Sequence, residues 1–276
     1  MERYMTLTQT IKQNKDPIRA RLRLGRAHWD ALVESVDHVE ANGSADCHDE
    51  QLWTFLLACA YAVADDGPSD LACRMTDSSM KSDAVWFEVL PRSPRFKEGL
   101  TNLDLALGDL VVRNGTDSGI ELASGSMRKA LFCEFKWHSD IAHAVSRDQH
   151  RNQLARVIEN ALFFRSATGE FAECIHVCLV TPRIFRDGSS ASRFYRYKWR
   201  DYDLPGREEL LTDLQNSRLE TDPSLPTAQE RLSALSLSWR SYEELLFASP
   251  DTQIRNELRK FYETYRGTEL ESWPAG

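Results

Sequence analysis

Along the first eighty residues the apolar positions recur at helical intervals. Asp16 and Pro17 form an N-cap and first-turn pair. Ile18, Leu22, Trp29, Leu32, Val33 and Val36 then follow with helical spacing until the stretch "ANGS" (41–44) stops the run. A second helix is expected over about 49–64. There "LWTFLLACAYAVA" (52–64) is apolar nearly all round and therefore central, and "DDGPSD" breaks it.

The middle of the chain changes period. "LDLALGDLVV" (103–112) alternates and then runs apolar, with Asn114-Gly115 as a turn signal behind it. "KALFCEFKW" (129–137) reads as the next strand, a helix follows from about 147 to 165, and "CIHVCLVTP" (174–182) is a further buried strand. Strand, strand, helix, strand is the pattern of a mixed α/β core. The last third holds a short strand, "ALSLSW" (234–239), and a closing helix around 251–265 with Ile254, Leu258, Phe261, Tyr262 and Tyr265 on one face. The Pro-rich, polar text of 205–233 reads as a loop-bearing insertion. The expected organisation is a helical N-terminal region (1–82) packed on the core, a core (83–200) and a C-terminal extension (201–276).

Composition changes this picture little. The chain has 276 residues, 42% hydrophobic and 28% charged, as in ordinary globular proteins. No apolar run reaches the roughly 18 residues that span a bilayer. The N-terminus lacks the apolar stretch of a secretory signal. Of the six cysteines, Cys174 and Cys178 fall in the apolar strand 174–182 and read as buried, reduced thiols, which points to the cytoplasm. The net charge of −8 excludes a protein that coats nucleic acid indiscriminately, but not an enzyme with a local basic groove.

The chemistry begins with Glu134 and Lys136. Two apart on a strand, they share one face, inside the apolar run "LFCEFKW". Burying such a pair without purpose is costly. Asp109 opens the run "LVV". If 109–113 and 131–137 are neighbouring strands, Asp109 and Glu134 converge at one sheet edge, where hard carboxylate oxygens favour Mg²⁺ or Mn²⁺. A lysine beside them orients or deprotonates the attacking water and offsets phosphate charge. Asp104 is the rival for the first carboxylate, but lies farther into the alternating segment.

An Asp, then Glu-x-Lys on the next strand, then a helix, resembles the PD-(D/E)xK (restriction-endonuclease-like) nuclease superfamily over roughly residues 100–182. The resemblance implies a mixed β-sheet flanked by helices, with helical additions at both ends. It makes Asp109 and Glu134 metal ligands and Lys136 the catalytic lysine. The position before Asp109 is Gly108 rather than the family's proline. "EFKWHSDIAHAVSRDQHRNQLARVIENAL" (134–162) resembles a bacterial subgroup in which Glu-x-Lys, Ser-Asp-Ile and an Arg-Asn-Gln helix follow one another.

In that helix Leu154, Val157, Ile158, Ala161 and Leu162 form the buried stripe. Arg151 aligns with the stripe and Gln153 borders it, so a helix start aimed at the sheet edge brings both near a phosphate. Superfamily members often place a glutamine there, which makes Gln153 a catalytic candidate. Arg151 could equally pair with Asp148 or a core carboxylate. Ser139 and Asp140 read as turn caps. The spacing of His138, His143 and His150 suits no common zinc motif. Glu50 is either an extra metal ligand from the first helix or a first-turn carboxylate favoured by the helix dipole.

"RFYRYKWRDY" (193–202) interleaves bases and aromatics. If extended, it offers Arg193, Arg196, Lys198 and Arg200 to the phosphates of nucleic acid and its rings to the bases. As an edge strand or a helix, its rings pack on the core and its cations face water. The expectation is a cytoplasmic, Mg²⁺- or Mn²⁺-dependent nuclease acting on DNA, with a homodimer or defence-complex partner possible in principle. The alternative is a catalytically silent nuclease-fold subunit that binds nucleic acid or assembles a defence or restriction complex.

Overall fold

The computed structural model describes residues 5–43, 47–96, 98, 100–125, 128–142, 151–187, 193–217 and 219–266. Its strands are β1 (Leu22–Leu24), β2 (Val85–Val89), β3 (Leu103–Gly108), β4 (Leu110–Val112), β5 (Ile120–Leu122), β6 (Lys129–Phe135), β7 (Cys174–Thr181) and β8 (Leu235–Ser241). Six of them form one mixed sheet in the order β1-β2-β3-β6-β7-β8, while β4 and β5 make a separate antiparallel ribbon. The β2–β3 and β3–β6 pairs are antiparallel. The β1–β2, β6–β7 and β7–β8 pairs are parallel. The chain is thus mixed α/β, with helices on both faces of the sheet.

Alternation along the strands divides the core in two. Leu105, Leu107, Leu131 and Cys133 face one layer, together with the helix Glu50–Ala62 and the helices Tyr242–Phe247 and Thr252–Tyr265. Ala106, Ala130 and Phe132 face the other, under the helices Gln153–Leu162, Phe194–Tyr202 and Glu208–Gln215. The Glu50–Ala62 helix is capped by Asp49, whose side chain accepts from Leu52 N, and every residue from Leu52 to Ala62 is buried. Complete burial of its leucines and phenylalanine contributes on the order of 1.5–3 kcal/mol each. Trp53 on this helix stacks on Trp137, their centroids 4.4 Å apart, which ties the helix to the chain leaving β6. Among the described residues no helix is long and apolar enough to cross a membrane.

Several expectations change. The first helical run is split into the helices Lys15–Arg21 and Trp29–Asn42 by β1, and the residue before the first of them is Asn14 rather than Asp16. Sheet pairing overrides the periodicity here. Gly25 N donates to Phe87 O (2.8 Å) and Arg26 N to Glu88 O (3.0 Å). The stretch 205–233 contains the helices Glu208–Gln215 and Ala228–Arg231. Cys178 is buried as expected, but Cys174, at the open start of β7, is exposed.

The close approach of β1 to β2 depends on one missing side chain. A Cβ on Gly25 would lie 2.1 Å from Glu88 O, an overlap with backbone that rotation cannot relieve. Glu88 itself has φ +54°, a left-handed conformation that costs a glutamate strain. Gly25→Ala is expected to lower stability by about 1–3 kcal/mol, read as a reduced urea midpoint at unchanged m-value.

Candidate functional site at the strand ends

Glu134 is the penultimate residue of β6, and Lys136 follows the strand's end. The sheet register decides which acid meets them. Leu105 pairs with Cys133 and Gly108 with Ala130, so one further step sets Asp104 opposite Glu134. Asp104 Oδ2 accepts from Phe135 N at 2.7 Å, which anchors that placement. Asp109 lies at the other end. Its backbone N donates to Lys129 O (2.9 Å) and its Oδ2 accepts from Lys129 N (2.8 Å). Lys129 and Glu134 are five strand residues apart, about 16 Å. Asp109 therefore cannot share an ion with Glu134, and the first carboxylate of the cluster is Asp104. The physical reason is that the segment 103–112 is not one strand. At Gly108, with φ +111°, β3 ends, and the chain turns into the β4–β5 ribbon.

Lys136 Nζ lies 2.8 Å from Glu134 Oε1 and 2.9 Å from Glu50 Oε1. Glu50 is the first residue of its helix. Its other oxygen accepts from Trp137 N (3.0 Å) and Ser139 Oγ (2.7 Å). Glu50 is thus a first-turn carboxylate of its helix and also a member of the Lys136 cluster. Gln153, at the first turn of its helix, donates from Nε2 to Glu134 Oε1 at 2.5 Å, while its backbone N donates to Ala142 O.

Sequence reasoning missed Glu88. The pairs Phe87–Leu105 and Val89–Leu103 flank it, so Glu88, Asp104 and Glu134 stand in one row across β2, β3 and β6. The signal was available, because "VWFEV" (85–89) carries a lone acid in an apolar run just as "LFCEF" does. Asn102 Nδ2 donates to Glu88 Oε2.

Three carboxylates, Glu134, Glu50 and Asp104, act on the Lys136 ammonium, while Glu88 beside them feels the Arg26 charge instead. Burial, then the Glu134 charge, raises the Asp104 pKa well above the ordinary carboxylate value, against the opposing pull of Lys136. Burial likewise raises Glu134, again opposed by Lys136. Burial and the charges of Glu134 and Glu50 raise Glu88. For Lys136 burial disfavours the cation, but Glu134, Glu50 and Asp104 outweigh it and the pKa rises. Lys136 is a firmly held cation rather than a base.

Glu134, 1% exposed, has one oxygen with two donors and a second, Oε2, with no hydrogen-bond partner among the described residues. A buried acceptor of this kind is costly unless something fills it. Among the described residues no three Asp, Glu, His or Cys side chains form a ready-made ion cage. Mg²⁺ seldom needs one, since it keeps several waters and takes one or two carboxylates plus substrate phosphate. Asp104 and Glu134, hard oxygen donors in a cluster with excess negative charge, fit that pattern.

The other candidates sit elsewhere. Arg151 is fully buried and ion-paired to Glu98 and Glu159, so it cannot reach a phosphate. Its alignment with the apolar stripe marked a buried position, and core carboxylates meet its charge there. The stretch 193–202 is not extended. Tyr195, Trp199 and Tyr202 form the buried face of the helix Phe194–Tyr202. Lys198 is held 2.7 Å from both Glu209 and Asp213, and Arg193 lies over the Phe185 ring at 4.6 Å. Arg196 is half-buried on the same helix, and Arg200 is exposed beside Asp201. The alternation of an extended strand is therefore absent: on the helix Arg193, Arg196 and Arg200, three and four residues apart, share one side, and Lys198 lies on another. Asp140 accepts from Phe194 N (2.5 Å) and Tyr195 N (3.1 Å), capping that helix. His138 meets His48 edge to face at 4.4 Å. His143, His150 and Asp148 lie outside the described residues.

Compared with known proteins, the chain matches no family model, no curated protein and no solved structure.

The raised carboxylate pKa values carry a stability consequence. A folded acid with a raised pKa binds its proton more tightly than the unfolded chain does, so its contribution erodes as pH climbs above the unfolded carboxylate value. Asp104→Asn keeps an acceptor for Phe135 N and removes that charge. It is expected to stabilise the protein at pH 8 by about 1 kcal/mol and much less at pH 4, read from urea unfolding at both pH values.

Proposed function

We propose that the chain is a divalent-metal-dependent nuclease that hydrolyses phosphodiester bonds, most plausibly in DNA, at the cluster of Asp104, Glu134, Lys136 and Gln153. The observation that carries this reading is the cluster of Asp104, Glu134 and Glu50 around Lys136, with one buried oxygen of Glu134 left without a hydrogen-bond partner among the described residues. Further support comes from the order of parts. Two adjacent antiparallel strands bear Asp104 and the Glu134–Lys136 pair, a helix bearing Gln153 follows, and then a strand parallel to β6. That order agrees with the PD-(D/E)xK resemblance once Asp104 replaces Asp109.

In this reading Asp104 and Glu134 would hold Mg²⁺, which would supply charge neutralisation at the phosphate and acidify water. Lys136, kept protonated by its carboxylate neighbours, donates a hydrogen bond to the attacking water or to a phosphate oxygen. Glu50 positions Lys136 from the opposite side and is itself fixed by Trp137 N and Ser139. Gln153 orients Glu134 through Oε1, leaving Oε2 as the oxygen that would face an ion. The buried ion pairs of Arg151 with Glu98 and Glu159 hold the start of the Gln153 helix rather than the substrate.

A silent nucleic-acid-binding subunit is the second reading, favoured by the internal neutralisation of Lys136 by Glu134 and Glu50. Plasmid and single-stranded DNA incubated with Mg²⁺ separates the two. Cleavage is expected for wild type and for Asp109→Ala. It should fall at least ~100-fold for Lys136→Ala and Asp104→Ala, while DNA binding by Lys136→Ala persists. Cleavage that survives both EDTA and Lys136→Ala defeats the enzyme, and binding without any divalent-dependent cleavage selects the silent subunit.

A further inference from the structure

Three arginines meet where the β4–β5 ribbon joins the segments on either side of it. Leu90 bridges to Gly119, and Leu90 N donates to Ser118 O at 2.9 Å. Arg113 N donates to Gly119 O at 2.8 Å. Leu122 N, on the same ribbon, donates to Arg165 O at 3.2 Å. Three distant segments are thereby stitched together, and each brings an arginine: Arg92, two residues beyond Leu90, Arg113 and Arg165. Arg113 packs its guanidinium over Gly119, so that a Cβ there would meet Nη2 at 2.7 Å.

Compensation for these cations is thin. The nearest carboxylate to Arg165 is Asp222 at 3.9 Å, a long contact, while Lys198 and Arg186 are each held by acids at far shorter range. Burial and then the Arg92 charge lower the pKa of both Arg113 and Arg165, with Glu121 and Asp222 opposing only in part. Arg92 is exposed and the other two are half-buried. The patch continues into a cavity of about 290 Å³ whose walls include Arg19 and Arg23 on one side and Val112, Ser118 and Gly119 on the other, with Asp117 the acid among them. Holding like charges together with only partial compensation is unfavourable, and an arriving anion relieves it.

We propose that Arg92, Arg113 and Arg165 form the phosphate-contacting surface that holds a nucleic-acid backbone while a second stretch of it lies at the carboxylate site; this rests on the function proposed above. The spacing is suitable. Arg165 lies just beyond the end of the helix Gln153–Leu162, whose start touches Glu134. Ten helical residues span about 15 Å, the rise of four to five base pairs at 3.4 Å per strand residue. Contacts of guanidinium to phosphate supply affinity and register without reading sequence.

The test is fluorescence anisotropy of a labelled duplex titrated across salt, in EDTA and again in Ca²⁺, so that binding is read apart from cleavage. The combined Arg92→Gln, Arg113→Gln and Arg165→Gln variant is expected to lose at least ~10-fold in affinity, and its log-log salt slope should flatten by about 2–3, since each phosphate contact contributes about 0.9. Arg92→Gln alone, at an exposed position that folding does not need, should flatten the slope by about one. The paired change Arg193→Gln and Arg200→Gln should leave it unaltered. Unchanged affinity and slope in a triple variant with a native unfolding midpoint overturns the proposal, as does a wild-type protein that binds no duplex in either condition. Weakened binding with no cleavage by wild type would sink the nuclease and leave this surface standing. Cleavage with an unchanged salt slope would do the reverse.

Discussion

The ammonium of Lys136 joins the two halves of this molecule. On one side stands Glu134 at the end of β6 and on the other Glu50 at the start of the helix Glu50–Ala62, each within 2.9 Å. Removing these charges from water costs several kcal/mol per ion unless geometry and further hydrogen bonds compensate. Compensation is built locally: Trp137 N and Ser139 satisfy the second oxygen of Glu50, and Gln153 adds a donor to Glu134. A hydrophobic pair in the same place would hold helix to sheet as well. An arrangement with three acids around one lysine therefore calls for a purpose other than stability, and an excess of negative charge has one obvious complement in a divalent cation.

The site occupies the ends of the strands, where β6 and β7 both finish and β3 begins. Side chains there escape the packed layers, and the helix start of Gln153 faces them from one layer while that of Glu50 faces them from the other. The same edge also stores strain. Glu88 sits at positive φ, with its carbonyl packed against a glycine that admits no Cβ. Backbone strain at Glu88 beside a buried acid cluster is a combination expected where function is maintained at the expense of stability.

Much of the core was readable from residues alone. "LFCEFKW" had to be a strand, because its apolar residues leave no face for water, and the pair Glu134–Lys136 was conspicuous for that reason. The Gln153 helix announced its buried stripe from Leu154 to Leu162. The partner acid was harder, because strand register is a tertiary property: an apolar run from Leu103 to Val112 reads as continuous until Gly108 divides it between sheet and ribbon. β1 was hidden because Leu22 also fits a helical period, and only pairing with β2 selects the strand. Arg151 and Lys198 show the limit of charge patterns. A sequence reveals that a side chain is cationic, but the carboxylates that neutralise it come from Glu98, Glu159, Glu209 and Asp213, scattered over more than a hundred residues.

The central claim is that the acids at the strand ends form a cation site completed by Glu134. The most direct measurement is the shift of the unfolding midpoint on titration with Mn²⁺, for wild type and for Glu134→Gln, without nucleic acid. An ion that binds only the folded chain stabilises it by about 2.7 kcal/mol at a hundred times its dissociation constant. A saturable rise in wild type that is lost in Glu134→Gln is the result the account requires. A wild-type protein indifferent to Mn²⁺, or an equal rise in Glu134→Gln, would contradict it.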